Sequence, residues 1–379
     1  MKDAPEKRLG NGSPLLLTVV GARPQFIKSA GLTRALQGGE WQQWLLHAGQ
    51  HADDDMGLDF LSELGVPMPD ARVYPAQSGR SQRLADMMLG VTHEIQRVQP
   101  TAVLVYGDTD ATLAGALAAH HANVPLVHVE AGLRSGDREM PEEHNRVLTD
   151  QLSDVLCTTG PGATAQLRKE GVAADRIAEV GDVMLDVALA AKERVKERYP
   201  AMWPQKASQV LTVTMHRPAT VDSAEKLQGA LAALDLWSQQ TGGYVYFPIH
   251  PRTKKNIERF NLTVPESVID PGPLSYLDMQ AALYHAHGVL TDSGGLQKEA
   301  WFQGTSAVIM RNTTEWRELL ELGASELFDP EQLNTSAGSA ALVDRLTHQR
   351  DIPSVEGSGL FGEGVASRHI LGALARFLK

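Results

Sequence analysis

Short apolar runs alternate with longer amphipathic segments along most of this chain. The run 14–20 is continuously apolar between turn residues, which is typical of a strand buried on both faces of a parallel sheet. Residues 80–98 carry apolar side chains at helical spacing and stop before Pro100, which predicts a helix. The two signals alternate up to about residue 186, and a second series then starts afresh. The pattern therefore predicts an α/β protein with two doubly wound parallel sheets.

The domain limits follow from where each series begins and ends. We expect a polar, disordered lead-in at residues 1–13, an N-terminal Rossmann-like domain at 14–186 and a C-terminal Rossmann-like domain at 187–363. A stretch with two prolines, 199–208, predicts the crossing between the domains. The amphipathic segment 364–379 predicts a helix that returns to the first domain. We expect the ligand crevice to lie between the two domains.

Carboxylates follow two neighbouring strand signals in the first domain. Asp108 comes just after the apolar run 102–106, Glu130 comes just after the run 125–129, and Glu142 lies a dozen residues further on. Because ligands bind beyond the carboxyl ends of parallel strands, this spacing directs several acids at one place. Paired carboxylates can take and give protons at carbon, so the arrangement predicts an active site.

The first strand leads directly into a turn and a helix that carry basic residues. Arg23 stands at the start of this helix and Lys28 just inside it, where backbone N–H groups and the helix dipole favour an anion. An ordinary pair of solvated first-turn cations would have the same sequence. The residues alone leave both interpretations open.

The second domain contains a strand that turns through two glycines straight into a helix. Glycines let the backbone approach a phosphate closely, and a carboxylate one to two turns into the helix can accept hydrogen bonds from ribose hydroxyls. The residues in these positions are Ser293, Gly294, Gly295 and Glu299. A serine cap with a surface glutamate would give the same pattern, so this alternative also stays open.

Other strand ends of the second domain carry histidine and arginine. His216 and Arg217 follow one apolar run, and His250 follows the next. Such side chains can stabilise the charge of a departing diphosphate. Together with the phosphate cradle, they predict that this domain binds a nucleotide while the first domain acts on an attached sugar.

Composition narrows the function classes. The chain has 379 residues and a formal net charge of -11, which argues against general nucleic-acid binding. Its single cysteine, Cys157, fits a reducing cytoplasm, and we expect neither a membrane span nor a signal peptide. His128 and Glu130 form the H-x-E pattern of zinc deaminases, but the cysteine pair that such a site needs is missing. We therefore predict no metal and no cofactor.

Many short motifs resemble, in the same order, those of the non-hydrolysing UDP-N-acetylglucosamine 2-epimerase family. They span residues 20–316 and read GARPQFIK, GQH, GDTDATLAGALAA, HVEAGLRSGD, MPEEHNR, GDVMLD, MHRP, PIHPR, LTDSGGLQKEA and RNTTEW. A co-linear set is far more specific than any single motif. The resemblance implies a two-domain fold of the GT-B type and a homodimer.

The resemblance also implies a reaction: anti elimination of UDP to a 2-acetamidoglucal, then re-addition with a proton delivered to the other face of C2. By matching positions, it implies catalytic roles for Asp108, Glu130, Glu142, His216 and Lys28, and substrate contacts for Arg23, Arg146, Ser293 and Glu299. We expect Glu130 and Asp108 to be the proton-transfer pair, with Glu142 supporting them. Which carboxylate is base and which is acid stays open.

The resemblance fits two substrates. The first expectation is the conversion of UDP-N-acetylglucosamine to UDP-N-acetylmannosamine, a step that serves cell-surface polysaccharide biosynthesis. Several motifs look closer to the branch that acts on UDP-2,3-diacetamido-2,3-dideoxyglucuronate. A glycosyltransferase of the GT-B type would use the same nucleotide cradle but would not exchange the hydrogen at C2. A plain nucleotide-sugar binding module has no use for three convergent carboxylates.

Overall fold

The computed structural model describes residues 12–49, 59–76, 79–205, 209–348 and 351–378. Most of the predicted lead-in, the GQH residues Gln50 and His51, and the acidic run after them lie outside these ranges. Contacts within the chain divide it into two compact units, Met1–Val187 with Gly359–Lys379 and Ala188–Ser358. Within the described ranges, no helix is long and apolar enough to cross a membrane.

Parallel strands and the helices between them build the first unit. The strands are β1 Leu15–Val20, β2 Gln42–His47, β3 Ala71–Arg72, β4 Ala102–Tyr106, β5 Leu126–Ala131, β6 Val155–Thr158 and β7 Ile177–Glu179. The helices are α1 Arg23–Leu36, α2 Asp59–Leu64, α3 Arg80–Val98, α4 Asp110–His121, α5 Pro141–Leu152, α6 Pro161–Lys169 and α7 Val183–Lys196, the last of which continues past the division.

The described strands of this unit form one parallel sheet in the order β3-β2-β1-β4-β5-β6-β7. The order reverses between β1 and β4, so the chain segments that leave these two strands diverge and open a crevice at their carboxyl ends. Helix α4 packs closely on the sheet because the side chains that face the sheet are small. A Cβ on Gly115 would lie 2.8 Å from Cγ1 of Val105. The alanine-rich sequence of this segment is what permits the close approach.

The second unit repeats the architecture with shorter strands. Its strands are β8 Val210–Thr214, β9 Tyr244–Tyr246, β10 Val268–Ile269, β11 Gly288–Thr291, β12 Ala307–Ile309 and β13 Ser325–Leu327. Its helices are α8 Pro218–Val221, α9 Ala224–Thr241, α10 Pro251–Arg259, α11 Tyr276–His285, α12 Gly294–Phe302, α13 Arg317–Glu321 and α14 Ser336–Thr347. The described strands are parallel in the order β10-β9-β8-β11-β12-β13, which reverses between β8 and β11.

The C-terminal helix α15, Ala366–Phe377, belongs to the first unit and packs against α1. The carboxylate of Asp186 accepts hydrogen bonds from the backbone N–H groups of Ala366 and Ser367, at 2.9 and 2.7 Å, and thereby satisfies the start of this helix. The observed division falls at 187/188 and 358/359, whereas the sequence placed it at 186/187 and 363/364.

Candidate active site

Lysine 28 lies among carboxylates in the first unit. Its side chain is 17% exposed and pairs with Glu130, and a Cβ on Gly107 would lie 3.2 Å from Nζ. Burial alone would lower the pKa of Lys28, but this pKa is raised because the Glu130 and Asp108 carboxylates lie close. Lys28 is therefore cationic at neutral pH and holds a negative charge on its partner. The alternative of a solvated surface lysine is wrong.

Glu130 has a backbone conformation that is unusual for a residue with a side chain. Its φ is +73°, in the left-handed region, and the pairing of β5 with β6 shifts register between Val129 and Ala131. This is a β-bulge at the catalytic candidate itself. Holding a non-glycine residue there costs of order 1–3 kcal/mol, and such strain is typically retained where a side chain must be aimed.

Asp108 is fixed through its side chain and its backbone. The guanidinium of Arg146 donates to the Asp108 carboxylate, and the Asn145 side chain donates to its carbonyl oxygen at 2.9 Å. Asn145 also donates to Asp110 at 3.0 Å, and Arg80 makes a two-pronged ion pair with the same carboxylate. Helix α5 thus organises the loop that follows β4.

The two glutamates at the start of α5 have different surroundings. Glu142, the predicted catalytic residue, is exposed in the first turn, with the charge of Arg80 nearby. Glu143 is buried and accepts hydrogen bonds from the backbone of Ser135 and Gly136, at 2.9 and 3.1 Å. Glu143 therefore shapes the loop after β5, while Glu142 stays accessible to a ligand.

The N-terminus of α1 differs from the open anion site that the sequence suggested. The side-chain oxygen of Gln25 accepts the N–H groups of Gly21 and Ala22, at 2.7 and 3.2 Å, so these two donors are already satisfied. Arg23 stands at the first helical position and is exposed. Any anion here would be held by the Arg23 side chain more than by the helix backbone.

In the second unit, Asp292 at the end of β11 holds the loop that follows β8. Its carboxylate accepts the backbone N–H groups of His216 and Arg217, at 2.8 and 2.7 Å, and lies 3.0 Å from Nδ1 of His216. Burial alone would raise the pKa of Asp292, but the contacts with His216 and with both N–H groups lower it. Asp292 is therefore ionised, and it orients the His216 ring.

His250 joins this group from the end of the next strand. Its ring centroid lies 5.3 Å from that of His216, and its Nδ1 caps α10 by accepting the N–H of Arg252 at 3.2 Å. Burial, with the neighbouring His216, lowers the pKa of His250. Two imidazoles thus lie side by side beyond the carboxyl ends of β8 and β9.

The glycine turn after β11 begins helix α12. Ser293 is the N-cap of this helix, and a Cβ on Gly294 would lie 2.3 Å from Oε1 of Glu315, so a side chain there would displace the end of the Glu315 side chain. Gly295 lies close to Oε1 of Glu299, and the other oxygen of Glu299 accepts from Gln280 at 2.6 Å. Glu299 is buried, so the alternative of a surface glutamate is wrong.

The structure thus brings the predicted residues together in two groups, one in each unit. Lys28, Asp108, Glu130 and Arg146 share the first, and His216, Arg217 and His250 share the second with the glycine turn. The sequence analysis found no sign of a role for Asp150 or Gln280, and it presented His128 only as part of an H-x-E pattern. In the structure, Gln280 donates to Glu299, and His128 and Asp150 contact each other beside Glu130. In the part of the chain that the structure describes, no three His, Cys, Asp or Glu side chains converge as a metal site.

Comparison with known proteins shows the family of this chain. A family model described as UDP-N-acetylglucosamine 2-epimerase matches residues 34–375 of the chain. The chain belongs to this family. Curated relatives include the UDP-2,3-diacetamido-2,3-dideoxy-D-glucuronate 2-epimerase of Pseudomonas aeruginosa, which is 39% identical over 95% of this chain and 99% of the relative. The UDP-N-acetylglucosamine 2-epimerase of Methanocaldococcus jannaschii is 31% identical over 92% of this chain and 97% of the relative.

Solved structures confirm the fold of the family. The Methanocaldococcus jannaschii epimerase in complex with UDP-GlcNAc and UDP matches with a TM-score of 0.83 and 29% identity, over 95% of this chain and 99% of that one. The Neisseria meningitidis epimerase bound to UDP-GlcNAc matches with a TM-score of 0.81 and 25% identity, over 96% and 100%. The prediction of a GT-B type fold with two Rossmann-like domains is confirmed.

Proposed function

We propose that this epimerase inverts C2 of a UDP-2-acetamido sugar without hydrolysing it. The observation that carries the proposal is the group of Lys28, Glu130 and Asp108 at the carboxyl ends of β1, β4 and β5. A carboxylate can act as a general base at carbon, and the ion pairs with Lys28 and Arg146 hold these two carboxylates in place. The matching epimerases of Methanocaldococcus jannaschii and Neisseria meningitidis, whose structures contain bound UDP-GlcNAc, support the assignment.

The first unit supplies the proton chemistry. One carboxylate removes the C2 proton as the bond between C1 and the β-phosphate oxygen breaks, which leaves a C1–C2 double bond. Re-addition of UDP to C1 then accompanies delivery of a proton to the other face of C2 by a second carboxyl group, which has taken that proton from solvent. The first carboxyl group returns its proton to solvent before the next turnover. Glu130 and Asp108 are the proposed pair. Glu142, accessible on α5, is the proposed supporting acid.

The second unit holds the leaving group. The turn at Ser293, Gly294 and Gly295 supplies backbone N–H groups to phosphate, and Glu299 accepts the ribose hydroxyls. His216, oriented by Asp292, and its neighbour His250 stabilise charge on the departing diphosphate, assisted by Arg217. In the first unit, Arg23 and Arg146 add positive charge near the acids.

Two substrates are candidates. The Pseudomonas aeruginosa relative, at 39% identity over nearly its whole length, is named for UDP-2,3-diacetamido-2,3-dideoxy-D-glucuronate. A Methanococcus maripaludis relative named as a UDP-N-acetylglucosamine 2-epimerase homolog is 37% identical over 80% of this chain, and the Methanocaldococcus jannaschii enzyme is 31% identical over 92%. Identity and coverage together favour the diacetamido uronate by a narrow margin, whereas the sequence analysis put UDP-N-acetylglucosamine first.

Proton NMR with each candidate substrate tests the proposal. We expect a second anomeric signal, of manno configuration, to grow with one of the two substrates and to stop at an equilibrium mixture. The substrate that reacts identifies the branch. Release of free sugar, or of UDP in proportion to time, would contradict a non-hydrolysing epimerase. Transfer to an added acceptor would point to a glycosyltransferase.

The resemblance further supports a homodimer in the cytoplasm as part of this proposal. A buried, single cysteine is compatible with a reducing compartment: burial raises the pKa of Cys157 to about 12. Sedimentation equilibrium should give twice the mass of the 41.1 kDa chain. The mass of one chain would contradict the dimer.

A further inference from the structure

The bulge at Glu130 is held on both sides by one buried carboxylate. Asp150, which projects from α5 and is fully buried, contacts Nδ1 of His128 at 2.7 Å through Oδ1. Its other oxygen accepts the backbone N–H of Gly132 at 3.2 Å. These contacts lie two residues before and two residues after Glu130, so Asp150 fixes the strand across the left-handed residue.

His128 extends this support to the loop that carries Asp108. Its side chain is fully buried, and its Nε2 lies 2.7 Å from the carbonyl oxygen of Gly107, the residue before Asp108. A carbonyl oxygen only accepts hydrogen bonds, and so does an ionised carboxylate. His128 therefore donates to Gly107 through Nε2 and contacts Asp150 through Nδ1, so the ring links β5 to the end of β4.

Arg134 supplies positive charge beside this pair. It lies 2.7 Å from Asp150 and also 2.7 Å from Glu170, so it joins both carboxylates and the His128 ring in one network. Burial alone would raise the pKa of Asp150, but His128 and Arg134 lower it, which keeps the carboxylate ionised. A carboxylate that is paired and hydrogen-bonded in this way can remain charged inside a protein.

We propose that His128 and Asp150 are positioning residues for the proton transfer at C2: they hold the Glu130 bulge and the Gly107–Asp108 loop in a fixed relation. Neither side chain is exposed, so neither touches the substrate. The proposal rests on the proposed epimerase function. It predicts that loss of the pair slows the chemical step and leaves nucleotide binding, which belongs to the second unit, unchanged.

The kinetic test compares Asp150→Ala with Asp154→Ala. Asp154 accepts the backbone N–H of Leu126 at 2.8 Å, at the opposite end of β5. Asp154→Ala therefore removes a similar hydrogen bond to the same strand, away from Glu130, and serves as the control. We expect Asp150→Ala to lower kcat about 100-fold, as a small misplacement of reacting groups does, with UDP affinity unchanged. Asp154→Ala should keep the wild-type kcat. A folded Asp150→Ala protein with wild-type kcat would overturn the proposal.

A conservative variant separates positioning from general stability. In Asp150→Asn, the amide oxygen can accept from Gly132 and Arg134, and the amide nitrogen can donate to a neutral His128 ring that still donates to Gly107. We expect the kcat of Asp150→Asn to be at least about tenfold higher than that of Asp150→Ala, since the geometry is preserved. Equal losses in the alanine and asparagine variants would contradict positioning. If Asp150→Ala does not fold, His128→Gln takes its place, and wild-type kcat in that variant overturns the proposal.

Nitrogen-15 NMR of histidine-labelled protein gives a readout that needs no substrate. We expect the ring signals that vanish in His128→Gln to shift in Asp150→Asn and to stay in place in Asp154→Ala, because only Asp150→Asn changes the partner of Nδ1. Unchanged His128 signals in Asp150→Asn would overturn the inferred network. Absence of epimerisation with the expected shift would contradict the proposed function instead.

Discussion

His250 shows how a single side chain can make nucleotide binding depend on pH. Burial and the nearby His216 ring lower its pKa, so the ring is neutral at pH 7 in the free protein. A diphosphate placed beside it would favour the charged ring and raise the same pKa. Binding would then take up a proton, and affinity would rise as the pH falls.

We therefore predict that UDP binds more tightly at pH 6 than at pH 8, by up to about tenfold per pH unit for the proton that His250 takes up. Calorimetry would measure UDP affinity at both pH values for the wild-type protein and for His250→Asn. The titration of UDP affects both proteins equally, so it cancels when their pH dependences are compared. His348→Asn is the control, because His348 is exposed at the end of α14. Identical pH profiles for the wild-type protein and His250→Asn would contradict a contact with the diphosphate.

At the scale of the residue, the sequence revealed which side chains carry chemistry but not how each is aimed. The positions of Asp108 and Glu130 after apolar runs predicted their place at the strand ends. Nothing in HVEAG signalled the left-handed backbone of Glu130, because that conformation depends on contacts with α5. Glu142 and Glu143 are adjacent and chemically identical, and only the rotation of the helix separates an exposed acid from a buried one.

Among the helices, two glycines should respond in opposite ways to replacement by alanine, as measured by the free energy of unfolding. Gly115 in α4 faces the sheet, where a Cβ would lie 2.8 Å from Val105, whereas a Cβ on Gly372 in α15 would meet nothing within 4 Å. Alanine improves helix propensity at both positions by up to about 1 kcal/mol. At Gly115, this gain is opposed by overpacking against a stiff, buried valine, at a cost of about 1–3 kcal/mol.

We predict that Gly372→Ala raises the free energy of unfolding slightly and that Gly115→Ala lowers it. Chemical denaturation of the two variants, with the wild-type protein alongside, measures both changes. A Gly115→Ala variant as stable as Gly372→Ala would show that α4 can move away from the sheet without loss. In that case, the contact between Gly115 and Val105 would not limit the size of the side chain at this position.

Long helices with a regular apolar face could be predicted from the sequence, whereas short strands and helices of small residues could not. Helix α3 was predicted at its observed bounds because its apolar residues keep one face over many turns. Strand β13 is three residues long and reads SEL, which carries no alternation that a pattern could detect. Helix α14 was also missed, because its small residues, in SAGSAALVDRLT, resemble those of a loop.

Across the whole molecule, the two units place their candidate residues in the same way. Each sheet reverses its strand order once among the described strands, and in each unit the candidate residues follow the strands at that reversal. The first unit gathers carboxylates there, and the second gathers histidines and a glycine turn. Alternation of strand and helix signals was enough to predict this architecture, because parallel sheets with crossover helices permit few other arrangements.

In the proposed reaction, the carboxylates of the first unit move the proton at C2. Proton NMR of the reactive UDP-sugar in deuterated buffer tests this step, with the wild-type protein compared with Glu130→Gln. We predict deuterium at C2 with the wild-type protein. In Glu130→Gln, exchange should be slower by at least about 100-fold, the usual contribution of a general base, while UDP still binds. Wild-type exchange in the variant would contradict the claim.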